Sequence, residues 1–113
     1  MRRNEAPPAC ARAAGGDAEV FLADISDAAA VRAMGEGVMK RFGKIDILVN
    51  NAALYATLTP RQFTEWDVDL WDRVMAINVR GPYLMARHVA PHMIERRSGK
   101  IINIASGAPY KGV

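Results

Sequence analysis

Lys44-Ile45-Asp46-Ile47-Leu48-Val49-Asn50-Asn51-Ala52-Ala53 is the stretch on which the fold turns. Ile47, Leu48 and Val49 follow one another without polar alternation, the pattern of a strand covered on both faces of a parallel sheet. Asn50-Asn51 favours a turn, so the strand opens at its carboxyl end into a loop, the edge where doubly wound sheets hold ligands. Just upstream, Val31, Met34, Val38 and Phe42 recur at helical spacing and mark one face of a helix. Asp24, Ser26 and Asp27 supply side-chain oxygens for its start, and Gly43 is placed to close it. Gly35 and Gly37 weaken it by roughly 1 kcal/mol each relative to alanine.

Working outward, Val20-Phe21-Leu22 within Glu19–Ala23 reads as an earlier buried strand. Beyond the loop Asn50–Trp66, Asp67 or Asp69 can start a long helix carrying Leu70, Val74 and Ile77 on one face. It continues through Leu84, Met85 and Val89 to Ile94 and ends near Ser98-Gly99. Ile101–Ile104 forms a third strand leading to Ser106. Strand, helix, strand, helix, strand implies an α/β fold with parallel strands and right-handed crossovers. Residues 1–16, with Pro7-Pro8 and Gly15-Gly16, read as a partly disordered lead-in in which Cys10–Ala14 can form a last helical turn. Residues 17–113 form one domain, without repeat or internal boundary.

Composition excludes several classes. The net charge of +3 comes from scattered residues such as Arg2, Arg3, Arg96 and Arg97, not from the clustered basic face that nucleic acid requires. No apolar run reaches membrane-spanning length. The lone Cys10 cannot form an internal disulfide, which favours a cytoplasmic location. His88 and His92 share a helical face but lack a third ligand, so packing is favoured and no metal is expected. Trp66, Trp71 and Tyr83 read as packing or subunit-contact residues.

Asn78 stands out within an apolar helical face, because a buried unpaired amide costs roughly 1–3 kcal/mol and so needs a partner. Pro82, four residues on, has no N–H to return to the Asn78 carbonyl, so the ladder should break and the helix kink there. Either a held water or a merely tolerated kink satisfies this arrangement. Ser106-Gly107 likewise reads as a turn or as the placement of a functional hydroxyl, and Asp24, Ser26 and Asp27 as cap residues or as ligand acceptors.

Asn50-Asn51-Ala52-Ala53, Ala76-Ile77-Asn78-Val79 and Lys100-Ile101-Ile102-Asn103-Ile104-Ala105-Ser106, in this order, resemble three motifs of the short-chain dehydrogenase/reductase family. Ala53 stands where the family usually has glycine, so the loop must avoid a strongly positive φ. The resemblance implies a partial Rossmann-like, doubly wound parallel sheet comprising the apparent third to fifth strands with two intervening helices. In the family's strand order, 3-2-1-4-5-6-7, the first two strands would lie between Val20-Phe21-Leu22 and Ile47-Leu48-Val49. It further implies NAD or NADP as cofactor, with Asp24 on the adenine amino group, Ile25 against its face, and Asn51 and Ala52 beside the adenosine ribose. Ser106 would hydrogen-bond a small-molecule alcohol or carbonyl substrate, and the Asn78 carbonyl would hold a water of the proton relay.

The family's Gly-x-x-x-Gly-x-Gly loop and Tyr-x-x-x-Lys pair do not occur in this sequence; Tyr110-Lys111 are adjacent and do not match the latter. The expectation is therefore an internal fragment, inactive as an isolated chain. In the family the helix bearing Asn78 contributes to a subunit bundle, which implies a homo-oligomer through the long helix. A non-catalytic or subunit-associating product and an epimerase or dehydratase use of the fold are the alternatives.

Overall fold

The structure is a computed structural model that describes residues 6–55 and 58–107. In chain order the elements are α1 (Ala6–Ala13), α2 (Ala28–Phe42), β1 (Ile47–Asn50), a 3-10 turn (Phe63–Glu65), α3 (Val68–Met75), a π turn (Ala76–Arg80), α4 (Gly81–Glu95) and β2 (Lys100–Asn103). The helix in the lead-in is longer than the single turn expected there.

The sequence signals for helix ends act as read. The Asp27 carboxylate accepts from the Ala29 N–H at the start of α2, and Gly43, at φ 77°, donates its N–H to the Met39 carbonyl at the end. Asp67 accepts from the Leu70 N–H and starts α3. The end of α4 is less conventional. Arg97 takes the left-handed conformation at φ 52°, its N–H bonds the Ile94 carbonyl, and the Ser98 N–H reaches back to Met93. These are the two bonds of a Schellman ending, with arginine where glycine is usual.

β1 and β2 pair in parallel, Ile47 with Lys100 through Asn50 with Asn103. The ladder runs on by one bond, from the Ile104 N–H to the Asn50 carbonyl. Leu48, Val89 and Met93 form the buried core, with Ile45 and Met85 packed against it, so α4 lies on one sheet face. Ile47, Val49 and Ile102 are exposed on the other.

The strand expected over Glu19–Ala23 is a correction. This segment is not paired in the sheet, and Leu22 is 80% exposed. A strand exists through its ladder, and among the described residues nothing supplies one beside it. Side chains hold the segment instead: Phe21 seats so closely on α2 that a Cβ at Gly37 would come within 2.9 Å of its ring, and Glu19 pairs with Arg41 at 2.9 Å.

The helix running from Val68 to Glu95 interrupts its ladder where expected, at Asn78–Pro82. The interruption takes the form of a widened turn, in which the Gly81 N–H bonds the Ala76 carbonyl five residues back. Pro82 then falls in the first turn of α4 and, having no N–H, leaves the Asn78 carbonyl without its i+4 donor, as expected.

Arg96 ties the end of α4 to the approach to β1, donating to the Ile45 carbonyl and the Asp46 carboxylate. The Lys44 ammonium bonds Asp46 as well and, with Arg96, holds that carboxyl below the usual aspartate range. A lowered folded pKa stabilises above the unfolded value, and the benefit disappears as pH falls through the folded one. Asp46→Asn should therefore lower the urea midpoint at neutral pH, and the gap from wild type should close in strong acid. A gap that stays constant with pH would contradict this.

Candidate active site

β1 and β2 end side by side, and the chain leaves both at the same sheet edge. Asn50 and Asn103, opposite each other on the last rung, join through Asn50 Nδ2–H donating to Asn103 Oδ1 at 2.8 Å. From this edge one strand feeds Asn51-Ala52-Ala53 and the other feeds Ile104-Ala105-Ser106.

The π turn brings the third component. Asn78 Oδ1 accepts from the Leu54 N–H at 2.7 Å, and its Nδ2–H donates to the Leu54 carbonyl at 3.1 Å. The partner required for an asparagine on this helical face is thus the backbone of the loop after β1. Both polar atoms of the amide are used, so the loop is clamped to the helix where π turns frequently mark function.

A cleft of 510 Å³ results, and Asn51, Ala52, Asn78 and Ser106 all line it, with Tyr55, Pro82 and Asn103. Among the described residues no carboxylate, imidazole or amine lines the cleft. Amides and a serine hydroxyl can orient a polar substrate atom but cannot serve as a general base at neutral pH.

A second cavity of 140 Å³ shares the Asn50-Asn51-Ala52 and Pro82 wall and is closed by Ile25, Met34, Val49 and Met85. Ile25 therefore joins Asn51 and Ala52. Asp24 lines neither space. Its Oδ1 accepts from both the Ser26 N–H, at 2.9 Å, and the Ser26 hydroxyl, at 2.7 Å. These bonds hold the Asp24 carboxyl below its usual range, with smaller help from Arg73 and Arg80. Asp24 is thus a turn-forming carboxylate and remains ionised at neutral pH. Arg80 adds a bond to the Ser26 carbonyl, tying this turn to the π turn.

His88 and His92 meet edge to face with centroids 6.0 Å apart. The His88 ring seats against Gly35, with Nε2 buried and without a hydrogen-bond partner. Among the described residues no group of three or more His, Cys, Asp or Glu is placed to hold a metal ion, and no helix is long and apolar enough to cross a membrane. Tyr110 and Lys111 lie outside the described residues.

Sequence reasoning passed over Asn50, Asn103 and Tyr55 as cleft residues. The strand register needed to pair the two asparagines was not readable, although both stood within quoted motifs.

Comparisons with known proteins agree with this geometry. The family model for short chain dehydrogenase matches residues 1–113. D-threitol dehydrogenase of Mycolicibacterium smegmatis is 43% identical over 88 residues, covering 78% of this chain and 33% of that protein. An NAD+-bound xylitol dehydrogenase structure superposes with a TM-score of 0.83 at 34% identity, covering 94% of this chain and 40% of that one. A metagenomic short-chain oxidoreductase in complex with NADP superposes at 0.77 and 40% identity, covering 87% and 45%. The chain spans about a third of the length of the first curated relative. Two solved relatives thus hold NAD+ or NADP, and with the family model matched over residues 1–113 the chain belongs to the short-chain dehydrogenases.

Proposed function

We propose that the cleft is the substrate end of a site that interconverts an alcohol and a carbonyl by hydride transfer with NAD or NADP. The observation that carries the reading is the convergence of Asn51, Ala52, Asn78 and Ser106, from three separate elements, on one cleft. Part of the residue set fits the adenosine end of the cofactor: Ile25 closes an apolar cavity that Asn51 and Ala52 also line. Asp24, beside it in sequence, is an ionised acceptor of the kind that suits an exocyclic amino group, although its Oδ1 is engaged by Ser26 and it lines neither space. When bound, the nicotinamide supplies the hydride acceptor or donor.

Ser106 orients the substrate oxygen by hydrogen bonding, and the Asn78 clamp fixes the loop that walls the cleft. Oxidation of the alcohol also releases a hydroxyl proton, and the family's Tyr-x-x-x-Lys pair, which would take it, does not occur in this sequence. Residues 1–113 by themselves should therefore show no measurable carbonyl reduction, while NAD+ or NADP+ should still shift the amide NMR signals of Ile25, Asn51 and Ala52. Turnover by this chain that Ser106→Ala abolishes would contradict the first expectation. Unmoved signals at millimolar cofactor would count against the second.

Self-association through the long helix belongs to the same reading. Trp71, Met75, Val79 and Tyr83 are exposed, and the last three line an open groove of 760 Å³ between Arg73 and Arg80. A run of apolar groups of this kind favours a self-complementary contact with a second copy. Sedimentation should show mass action toward dimer or larger species, and Tyr83→Glu should shift it toward monomer. A monomer at millimolar concentration would refute the contact.

A further inference from the structure

We propose that Tyr55 is a specificity-determining residue of the cleft, its ring stacking on a planar, aryl-type substituent of a neutral secondary alcohol or ketone whose oxygen sits at Ser106. This rests on the hydride-transfer reading and deepens it by naming the substrate class.

Tyr55 is 79% exposed yet lines the same cleft as Ser106 and Asn78. Its peptide is anchored on both sides. The preceding Leu54 is clamped by Asn78, and the Tyr55 carbonyl accepts from the Leu58 N–H at 2.9 Å. A ring carried on an anchored peptide loses less freedom when a ligand packs on it. Ala53, Pro82 and Ile104 supply apolar lining in the same cleft, beside the amides of Asn50, Asn51, Asn78 and Asn103, and among the described residues no charged side chain lines it. A carboxylate or phosphate substituent would meet no counter-charge there. A flat ring gains an offset-stacked partner, an effect of roughly three- to tenfold in affinity.

The test titrates the chain with 1-phenylethanol, 1-cyclohexylethanol and threitol while NMR follows the Tyr55 ring and the Ala53 and Ser106 amides. The phenyl alcohol should shift all three and bind at least threefold tighter than the cyclohexyl alcohol. Tyr55→Phe should keep that preference and Tyr55→Ala should lose it, with the remaining amide spectrum unchanged because the side chain is exposed. A preference that survives Tyr55→Ala, or threitol binding as tightly as the phenyl alcohol, overturns the proposal. An NAD+ titration of the same samples separates the two levels. Shifts at Ile25, Asn51 and Ala52 without any response of Tyr55 to the phenyl alcohol sink the aryl assignment alone. The reverse pattern supports the subsite and sinks the cofactor reading. Silence in both overturns both.

Discussion

Asn78→Leu is expected to destabilise the protein by about 2–4 kcal/mol and to free the loop that follows β1. Wild-type Asn78 satisfies the Leu54 N–H and carbonyl together, in a partly buried position. Leucine keeps the bulk and the apolar character of the helical face but removes both bonds. Each bond contributes roughly 1 kcal/mol net, and a backbone group left unpaired away from water costs roughly 1–3 kcal/mol. The urea midpoint should fall while its slope remains unchanged. Exchange of the Leu54 amide should speed up by at least about tenfold, since 1.4 kcal/mol corresponds to a factor of ten. Asn78→Asp separates the two bonds: it keeps an acceptor for the N–H but turns a second oxygen toward the Leu54 carbonyl. It too should destabilise. A midpoint unmoved in both variants would mean that the clamp contributes nothing.

Gly99→Ala should be the most damaging change of a glycine. A Cβ built at Gly99 lies 2.7 Å from the Met93 Cβ, besides crowding that side chain's Cγ and sulfur. A side chain's tip can swing aside, but a Cβ moves only with its backbone. Met93 is also a core residue, 7% exposed and packed with Leu48 and Val89. The added methyl must therefore separate α4 from the start of β2, at an overpacking cost of about 1–3 kcal/mol. No helix-propensity gain offsets it, because Gly99 lies between elements. Gly35→Ala is a useful contrast. There the obstacle is the far edge of the His88 ring, and alanine regains roughly 1 kcal/mol of helix propensity. Thermal melts of both variants should rank Gly99→Ala below Gly35→Ala. The opposite order would show that the turn after α4 yields more readily than the His88 ring.

Features that depend on near neighbours in sequence were readable from the residues alone. The cap oxygens of Asp27 and Asp67, the left-handed Gly43 and the two apolar strands each express a local preference that the fold did not oppose. Features decided across the chain were not readable. Whether Val20-Phe21-Leu22 is a strand depends on a paired neighbour rather than on its own composition. Asn78 announced that it needed a partner but could not say that the partner was Leu54, 24 residues earlier. The Asn50–Asn103 pair, 53 residues apart, requires the strand register to be known first. Pro82 signalled a missing donor, while the way the helix reconnects depends on how its two ends are held. For the site, the motif residues Asn51, Ala52, Asn78 and Ser106 came together as their order suggested. Asp24 is engaged by its own turn instead of opening on the cleft.

The π turn has a consequence for chain length. An α-helix advances about 100° per residue, so one residue added or removed rotates everything beyond it by that amount. Ahead of the turn, α3 is held by its Asp67 cap; behind it, Val89 and Met93 of α4 are seated on the sheet. The wide turn holds one residue more than an α-helical turn, so deleting one residue of Ala76–Arg80 would restore a regular helix with its two halves close to their present phase. The loss would fall on the turn itself, where Asn78 would be drawn into the regular ladder and away from Leu54. Along Val68–Glu95 a one-residue deletion is therefore accommodated by the fold at this turn more readily than in α3 or α4, at the cost of the clamp on the loop.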